Sequence, residues 1–142
     1  MPRQPKLRPA DYQKLAALRL SLRQFVARTD ANARSVGLTP QQHQALLSIK
    51  GGYPGREAIS ISELADHLLI KNHSAVELVG RLVKGGLAAR EPSALDRRTV
   101  NVRITAKGDS LLDQLSQSSI HELATSADAI RQLIGYLQPL DA

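Results

Sequence analysis

Hydrophobic residues recur at helical spacing along most of this 142-residue chain. The first stripe repeats every three or four residues and predicts a helix from Ala10 to Val36, which Gly37 ends. A second helix is predicted to begin at Thr39-Pro40, because threonine is a good N-cap and proline suits the first helical position. Its buried side is assigned to Leu46, Leu47 and Ile49.

Two short helices follow in the middle of the chain. Ser60-Ile61-Ser62-Glu63 is a capping box, in which the Ser60 hydroxyl accepts from the Glu63 amide and the Glu63 carboxylate accepts from the Ser60 amide. The pattern breaks before Asn72, which is predicted to be the N-cap of the next helix. Gly85-Gly86 is predicted to end that helix. Its core-facing residues are predicted to be Val76, Val79, Leu82 and Val83.

A β-hairpin is predicted directly after these helices. Its arms are residues 87–90 and 99–105, and the second arm alternates apolar and polar residues. The connection over residues 91–98 is too long for a tight turn, so its tip projects and carries Arg97 and Arg98. A helix-turn-helix followed by such a ribbon is a winged helix, a form that places one helix in the DNA major groove.

The last part of the chain returns to helical spacing. The serine-rich residues 116–119 predict a bend or break between two stripes. One small winged module cannot cover the apolar stripes at both termini. We therefore expect the first and last helices to interlock with a second copy across a two-fold axis. The alternative is that they fold back on the core of their own monomer.

The predicted fold class is mainly α (α+β), a winged helix-turn-helix whose N- and C-terminal helices form a dimerisation domain. Residues 1–9 would be a basic, flexible arm. Residues 10–37 and 107–142 would be the dimerisation helices, and residues 38–106 the winged helix-turn-helix DNA-binding module. All three parts belong to one structural unit, as the chain length suggests.

The net charge of +6 is unevenly distributed. Residues 1–38 carry +6 and residues 71–107 carry +5, whereas residues 39–70 carry −1 and residues 108–142 carry −4. The two basic segments favour a polyanion as partner. None of the four aromatic residues lies in the basic stretch 71–107. Since single strands and RNA are bound by stacking on aromatic rings, duplex DNA is the better candidate.

Several other classes of protein are disfavoured. The chain has no cysteine, which excludes disulfides, thiolate metal sites and thiol redox sensing. There is no apolar run of membrane-spanning length and no signal-peptide pattern, so the expected location is cytoplasmic. No nucleophile elbow, carboxylate pair or dinucleotide fingerprint is present, and the histidines lack metal-ligand spacing. We expect no enzyme activity, no cofactor and no metal.

An ordered set of short motifs runs through the chain. These are Leu38-Thr39-Pro40 with Gln44-Ala45-Leu46-Leu47, Glu63-Leu64-Ala65, Arg81-Leu82, Gly86-Leu87, Asp96-Arg97-Arg98 and Ile104-Thr105-Ala106-Lys107-Gly108. In these motifs the sequence resembles the MarR family of bacterial transcriptional regulators. The resemblance implies that Arg98 enters a DNA groove and that Asp96 braces the wing, with Arg81 as a plausible partner.

The residues expected to contact or support DNA lie on the second short helix and at the wing tip. They are Asn72, His73, Ser74, Glu77, Arg81, Lys84, Asp96, Arg97 and Arg98. Glu77 departs from the family pattern of a polar or basic residue. It could accept from cytosine N4 or only lower non-specific affinity.

The expected function is sequence-specific binding of double-stranded DNA by a homodimer on a pseudo-palindromic operator. The resemblance implies transcriptional repression and release by a small phenolic or anionic effector, which no residue here identifies. The alternative is a winged-helix module for protein–protein assembly without sequence-specific DNA binding. The dependence of duplex binding on salt separates the two.

Overall fold

A computed structural model describes residues 4, 6–125 and 127–137 of the chain. Within these residues the backbone forms six α-helices and three β-strands. In chain order they are α1 (Pro9–Ser35), α2 (Pro40–Gly51), β1 (Ala58–Ser60), α3 (Ile61–Leu68), α4 (Asn72–Lys84), β2 (Ala88–Pro92), β3 (Val100–Ile104), α5 (Ala106–Thr125) and α6 (Ala127–Leu137). The predicted arm at residues 1–9 lies partly outside the described residues.

A three-stranded antiparallel sheet forms the β part of the winged module. Its strand order is β1-β3-β2, with Ile59 opposite Val102 and Ala88 opposite Ile104. The hairpin of β2 and β3 is confirmed, and its apolar alternation buries Val102 completely. Strand β1 was not predicted, because three residues are too few to show alternation. In chain order β1 lies between α2 and α3, and it adds the third strand of the sheet by pairing with β3.

The hydrophobic core lies between α2, α3, α4 and this sheet. Its largest fully buried side chains include Leu46, Ile49, Leu64 and Leu82. The assignment of Leu47 to the buried side of α2 is wrong, since that side chain is half exposed. The next residue, Ser48, turns inward instead, because its hydroxyl is hydrogen-bonded to a histidine ring.

The predicted caps of α2 and α3 are both present. The Thr39 hydroxyl accepts from the Gln42 amide at 3.1 Å, and the Gln42 side chain accepts from the Thr39 amide at 2.9 Å. At α3 the Ser60 hydroxyl accepts from the Glu63 amide at 3.0 Å, and Glu63 accepts from the Ser60 amide at 2.9 Å. Each box satisfies two N–H groups that would otherwise lack partners.

The C-terminal segment differs from its prediction. Helix α5 runs without interruption through the serines at 116–119, where a bend or break was expected. The Ser119 hydroxyl donates to the Leu115 carbonyl oxygen one turn earlier at 3.0 Å. Serine can form this bond inside a helix without ending it. Helix α6 begins only at Ala127.

The long terminal helices bury little of their apolar surface within the described part of this chain. Helix α1 packs against α2 and α5 near Ala33, Leu112 and Leu115. Its remaining stripe stays open to solvent, as do apolar residues of α5 and α6. The exposed side chains are Tyr12, Leu15, Leu20, Leu22, Val26, Ile120, Leu123 and Ile134. No helix among the described residues is long and apolar enough to cross a membrane.

A compact junction joins the end of α4, the base of the wing and the start of α5. The Thr105 amide donates to the Leu87 carbonyl oxygen at 3.1 Å, and the Thr105 hydroxyl donates to the Gly86 carbonyl oxygen at 2.6 Å. The same hydroxyl accepts from the Gly108 amide at 3.2 Å and so caps α5. A methyl group on Gly108 would overlap the Leu87 carbonyl oxygen. This close approach explains the glycine of the Ile-Thr-x-x-Gly motif.

The Gly108→Ala substitution should therefore lower the free energy of unfolding by about 1–3 kcal/mol, the usual range for overpacking. Gly51→Ala is the matched control, since that glycine is also helical and a methyl group there would meet no atom within 4 Å. Urea unfolding followed by circular dichroism measures both. Equal stability of the two variants would contradict the close packing of the junction.

Candidate nucleic-acid interface

The turn between α3 and α4 sets the direction of α4. Leu69 ends α3 in the left-handed conformation, with φ 57° and ψ 41°. The Ile70 amide donates to the Ala65 carbonyl oxygen at 3.0 Å, which satisfies the end of α3. The prediction of Asn72 as N-cap is wrong, because Lys71 occupies that position and makes no side-chain cap. Asn72 lies in the first turn of α4 and accepts from the Ser62 hydroxyl at 3.3 Å.

An ion pair stabilises the start of α3. Arg56 forms an ion pair with Glu63 and lies over the Tyr53 ring, 5.7 Å from its centroid. The Arg56 hydrogen bond, followed by the Ser60 amide, lowers the pKa of Glu63 below its ordinary value. The carboxylate therefore stabilises the fold above its ordinary pKa. That contribution is lost as pH falls through the lowered value.

The two faces of α4 are sharply different. Ala75, Leu78, Val79 and Leu82 are buried, which confirms two of the four predicted core positions. Val83 is only partly buried, and the core assignment of Val76 is wrong because 45% of it is exposed. The buried stripe begins at Ala75, whereas the predicted stripe began at Val76, because the bulkier valine is the stronger hydrophobic signal in the sequence.

The predicted contact residues of α4 lie on its exposed side. Asn72, His73, Glu77, Arg81 and Lys84 are exposed, and Ser74 is half buried. The face therefore presents an amide, an imidazole, a carboxylate and two cations to solvent. The amide, the imidazole and the cations can donate to phosphates or to base edges, and the carboxylate can accept from a base edge.

The wing tip has a defined internal structure. The Asp96 carboxylate accepts from the Arg98 amide at 3.0 Å and from the Thr99 hydroxyl at 3.4 Å. The Ser93 amide donates to the Thr99 carbonyl oxygen at 3.0 Å and closes the loop. Arg97 and Arg98 are both exposed on this ordered loop.

Asp96 thus interacts with the wing's own backbone. Among the described residues it makes no ion pair with Arg81, the partner suggested by the resemblance. The local amide and hydroxyl satisfy its carboxylate instead. Bracing of the wing by this aspartate does not require an arginine on α4.

Three exposed residues beside this surface were not predicted. Arg90 on β2 reaches α4, where its guanidinium lies 3.6 Å from the position that a methyl group on Gly80 would occupy. Val76 lies on the exposed face of α4, and Leu95 at the wing tip is 99% exposed. The sequence already carried a signal for Arg90, because it is a basic residue in the hairpin arm that follows the predicted helix. The exposure of Val76 is visible only in the folded structure.

The cations of this surface differ from those elsewhere. Arg103 pairs with Glu91 at 3.2 Å, and Lys50 pairs with Asp109. Within the described ranges, no carboxylate lies within 4.0 Å of the basic groups at the start and along the exposed side of α4, on β2 beside it, or at the wing tip. These groups are Lys71, Arg81, Lys84, Arg90, Arg97 and Arg98. Their positive charge is available to an external anion.

Other candidate sites are weaker. A cavity of about 430 Å³ between α2, β3 and α5 is bordered by Lys50, Arg56 and Arg103, each of which already has a carboxylate partner. His67 is satisfied by Ser48 at 2.7 Å, and burial lowers the pKa of His43. No group of three potential metal-ligating side chains converges within the described residues.

The comparison with known families agrees with this geometry. Residues 36–99, which run from the end of α1 to the wing, match the model of the MarR family. Over this segment, a little less than half of the chain, the protein is similar to the MarR family. This match supports the expectation that the chain is a DNA-binding transcriptional regulator. No curated protein matches the sequence.

Solved structures of MarR, AbsC and NadR share the fold over almost the whole chain. A cysteine mutant of MarR from E. coli complexed with operator DNA has a TM-score of 0.68 at 21% identity, covering 96% of this chain and 99% of that one. AbsC from Streptomyces coelicolor has a TM-score of 0.73 at 15% identity, covering 97% and 96%. NadR in complex with 4-hydroxyphenylacetate has a TM-score of 0.70 at 21% identity, covering 99% and 94%.

The bracing of the wing can be tested without any ligand. Asp96→Ala should speed hydrogen exchange of the Arg98 amide about fivefold or more, since one hydrogen bond contributes about 1 kcal/mol. Asp96→Asn is the control, because the amide oxygen can still accept. Exchange measured by NMR at the same rate in Asp96→Ala as in the unaltered protein would contradict the bracing.

Proposed function

We propose that this protein is a regulator of the MarR type that represses transcription by binding a pseudo-palindromic operator as a homodimer. Each α4 would enter a major groove, and each wing would enter an adjacent minor groove. The observation that carries the proposal is the row of cations on α4 and the wing, which lack carboxylate partners in the described structure. Duplex DNA supplies phosphates that would pair with these charges.

Helix α4 suits the role of a recognition helix. It is 13 residues long, and its buried face leaves an exposed side that a major groove can accommodate. Its first turn carries Asn72 and His73, at the end of the helix that reads base edges in this motif. Glu77 is on the same side, where it can accept from cytosine N4. The residues of α4 proposed to contact DNA are Asn72, His73, Ser74, Glu77, Arg81 and Lys84.

The wing suits contact with the minor groove. Arg97 and Arg98 project from a loop that Asp96 and Ser93 hold in shape. Arginine is favoured in narrow A·T-rich minor grooves, where the negative potential is strongest. An ordered loop loses less conformational entropy on binding than a flexible one.

The dimer is supported by the open apolar faces of α1, α5 and α6. Leu15, Leu22 and Val26 form a helical stripe on α1 that the described part of the chain leaves exposed. Such a contiguous surface on a soluble protein marks an interaction site. A second copy related by a two-fold axis would bury it and place two α4 helices about one helical turn, ~10 bp, apart.

We also propose that a small effector releases the protein from DNA. The NadR structure contains 4-hydroxyphenylacetate, which supports a small phenolic or anionic ligand for this chain as well. Such a ligand would act by favouring a different spacing of the two modules, in proportion to its differential affinity. Occupation of a promoter by the dimer would block transcription.

Arg98→Ala should weaken duplex binding about tenfold or more, because it removes one phosphate or groove contact of each subunit. Arg131→Ala is the control, since it removes the same charge from α6, where Arg131 already pairs with Asp128. Fluorescence anisotropy over a range of salt measures both. The slope of log affinity against log salt should fall with Arg98→Ala. Binding that is absent or independent of salt would favour the protein-assembly alternative.

Leu22→Glu should convert the dimer to a monomer, because it buries two charges in the proposed interface. Leu95→Glu is the control, since Leu95 is exposed at the wing tip and lies outside that interface. Sedimentation velocity gives the mass of each, and circular dichroism verifies the fold. A Leu22→Glu protein that remains dimeric would refute the assignment of the terminal helices.

A further inference from the structure

One apolar spot interrupts the polar face of α4. Val76 is 45% exposed, and the residues around it on this face, His73 and Glu77, are polar. Gly80 lies one helical turn after Val76 on the same side. Together they leave a shallow step in the helix surface, with the Val76 side chain on one side and the Arg90 guanidinium beside Gly80 on the other.

The glycine in this step is not required by the fold. Gly80 has an ordinary helical backbone and is absent from the described glycines with positive φ. A methyl group there would meet only the Arg90 guanidinium at 3.6 Å, an ordinary contact. Glycine inside a helix is less favourable than alanine because it loses more backbone entropy. Glycine at residue 80 thus leaves space in the step that an alanine would partly fill.

We propose that Val76 and Gly80 form an apolar notch that receives the C5-methyl group of one thymine in each operator half-site. This inference rests on the proposed function, in which α4 enters the major groove. Val76 supplies the contact surface, and Gly80 supplies the space for close approach.

Thymine is the base that fits this notch. It alone presents a methyl group in the major groove, whereas the other bases present hydrogen-bond donors and acceptors there. A polar base edge against Val76 would lose water without gaining a partner. The notch thus makes α4 selective for a thymine, beside the bases that its polar residues can read.

The test starts from the duplex that the protein selects out of a random pool. Each thymine is replaced in turn by deoxyuridine, which removes the methyl group and keeps the base pairing. For the unaltered protein, one thymine per half-site should be sensitive, with a loss of affinity of about fourfold, the factor expected for burial of one methyl group. Replacement in both half-sites should give about fifteenfold, measured by anisotropy at fixed salt.

Variants of Val76 and Gly80 test whether the sensitivity to deoxyuridine arises at the notch. Val76→Ala should lose the sensitivity at that thymine and keep it elsewhere, whereas Val76→Thr, which retains a methyl group, should preserve it. Val100→Ala is the matched control, because this valine of β3 is 40% exposed and its deoxyuridine profile should be unchanged. Gly80→Ala should raise the melting temperature while weakening binding about tenfold, since the added methyl group overpacks the contact.

The outcomes separate the notch from the wider proposal. Salt-dependent duplex binding with no methyl-sensitive thymine, or with the same sensitivity in Val76→Ala, overturns the notch and leaves the proposed function standing. So does a Gly80→Ala protein that binds as tightly as the unaltered one. Absence of salt-dependent duplex binding overturns the proposed function and the notch together.

Discussion

The hydroxyl group of Thr105 is the point on which the arrangement of this molecule depends. It donates to the carbonyl oxygen that follows α4 and accepts from the first turn of α5, so one side chain bridges two helices. Gly108 allows the backbones to approach closely enough for this bridge. The end of α4, the base of the wing and the start of α5 consequently form one rigid corner.

Features that depend on neighbouring residues were predictable from the sequence. The capping boxes at Thr39 and Ser60 join groups three residues apart, so the chemistry of a short segment determines them. The glycine at residue 37 and the pair at 85–86 likewise mark helix ends, since Gly37 and Gly86 adopt positive φ. The order of these signals along the chain predicted the winged-helix class, and the short motifs added the resemblance to the MarR family.

Features that depend on tertiary packing were not predictable in the same way. Strand β1 exists because β3 offers an open edge, and its own three residues carry no pattern. Val76 and Leu47 are as hydrophobic as core residues, and only the orientation of their helices leaves them exposed. Asp96 was correctly assigned to the wing, but its partners depend on the loop conformation. The exposed side of α4 was predictable because its charged and polar residues recur on one face of the helix, and their contact with DNA stays a prediction.

The turn at Leu69 shows that this protein is not at its maximum possible stability. A leucine in the left-handed region is disfavoured by about 1–2 kcal/mol, and its side chain is 92% exposed, so burial offsets little of that strain. Glycine or asparagine would hold the same backbone more easily. The position therefore offers a reserve of stability: a substitution at this one residue can compensate for a destabilising exchange elsewhere, such as one among the residues proposed to face DNA.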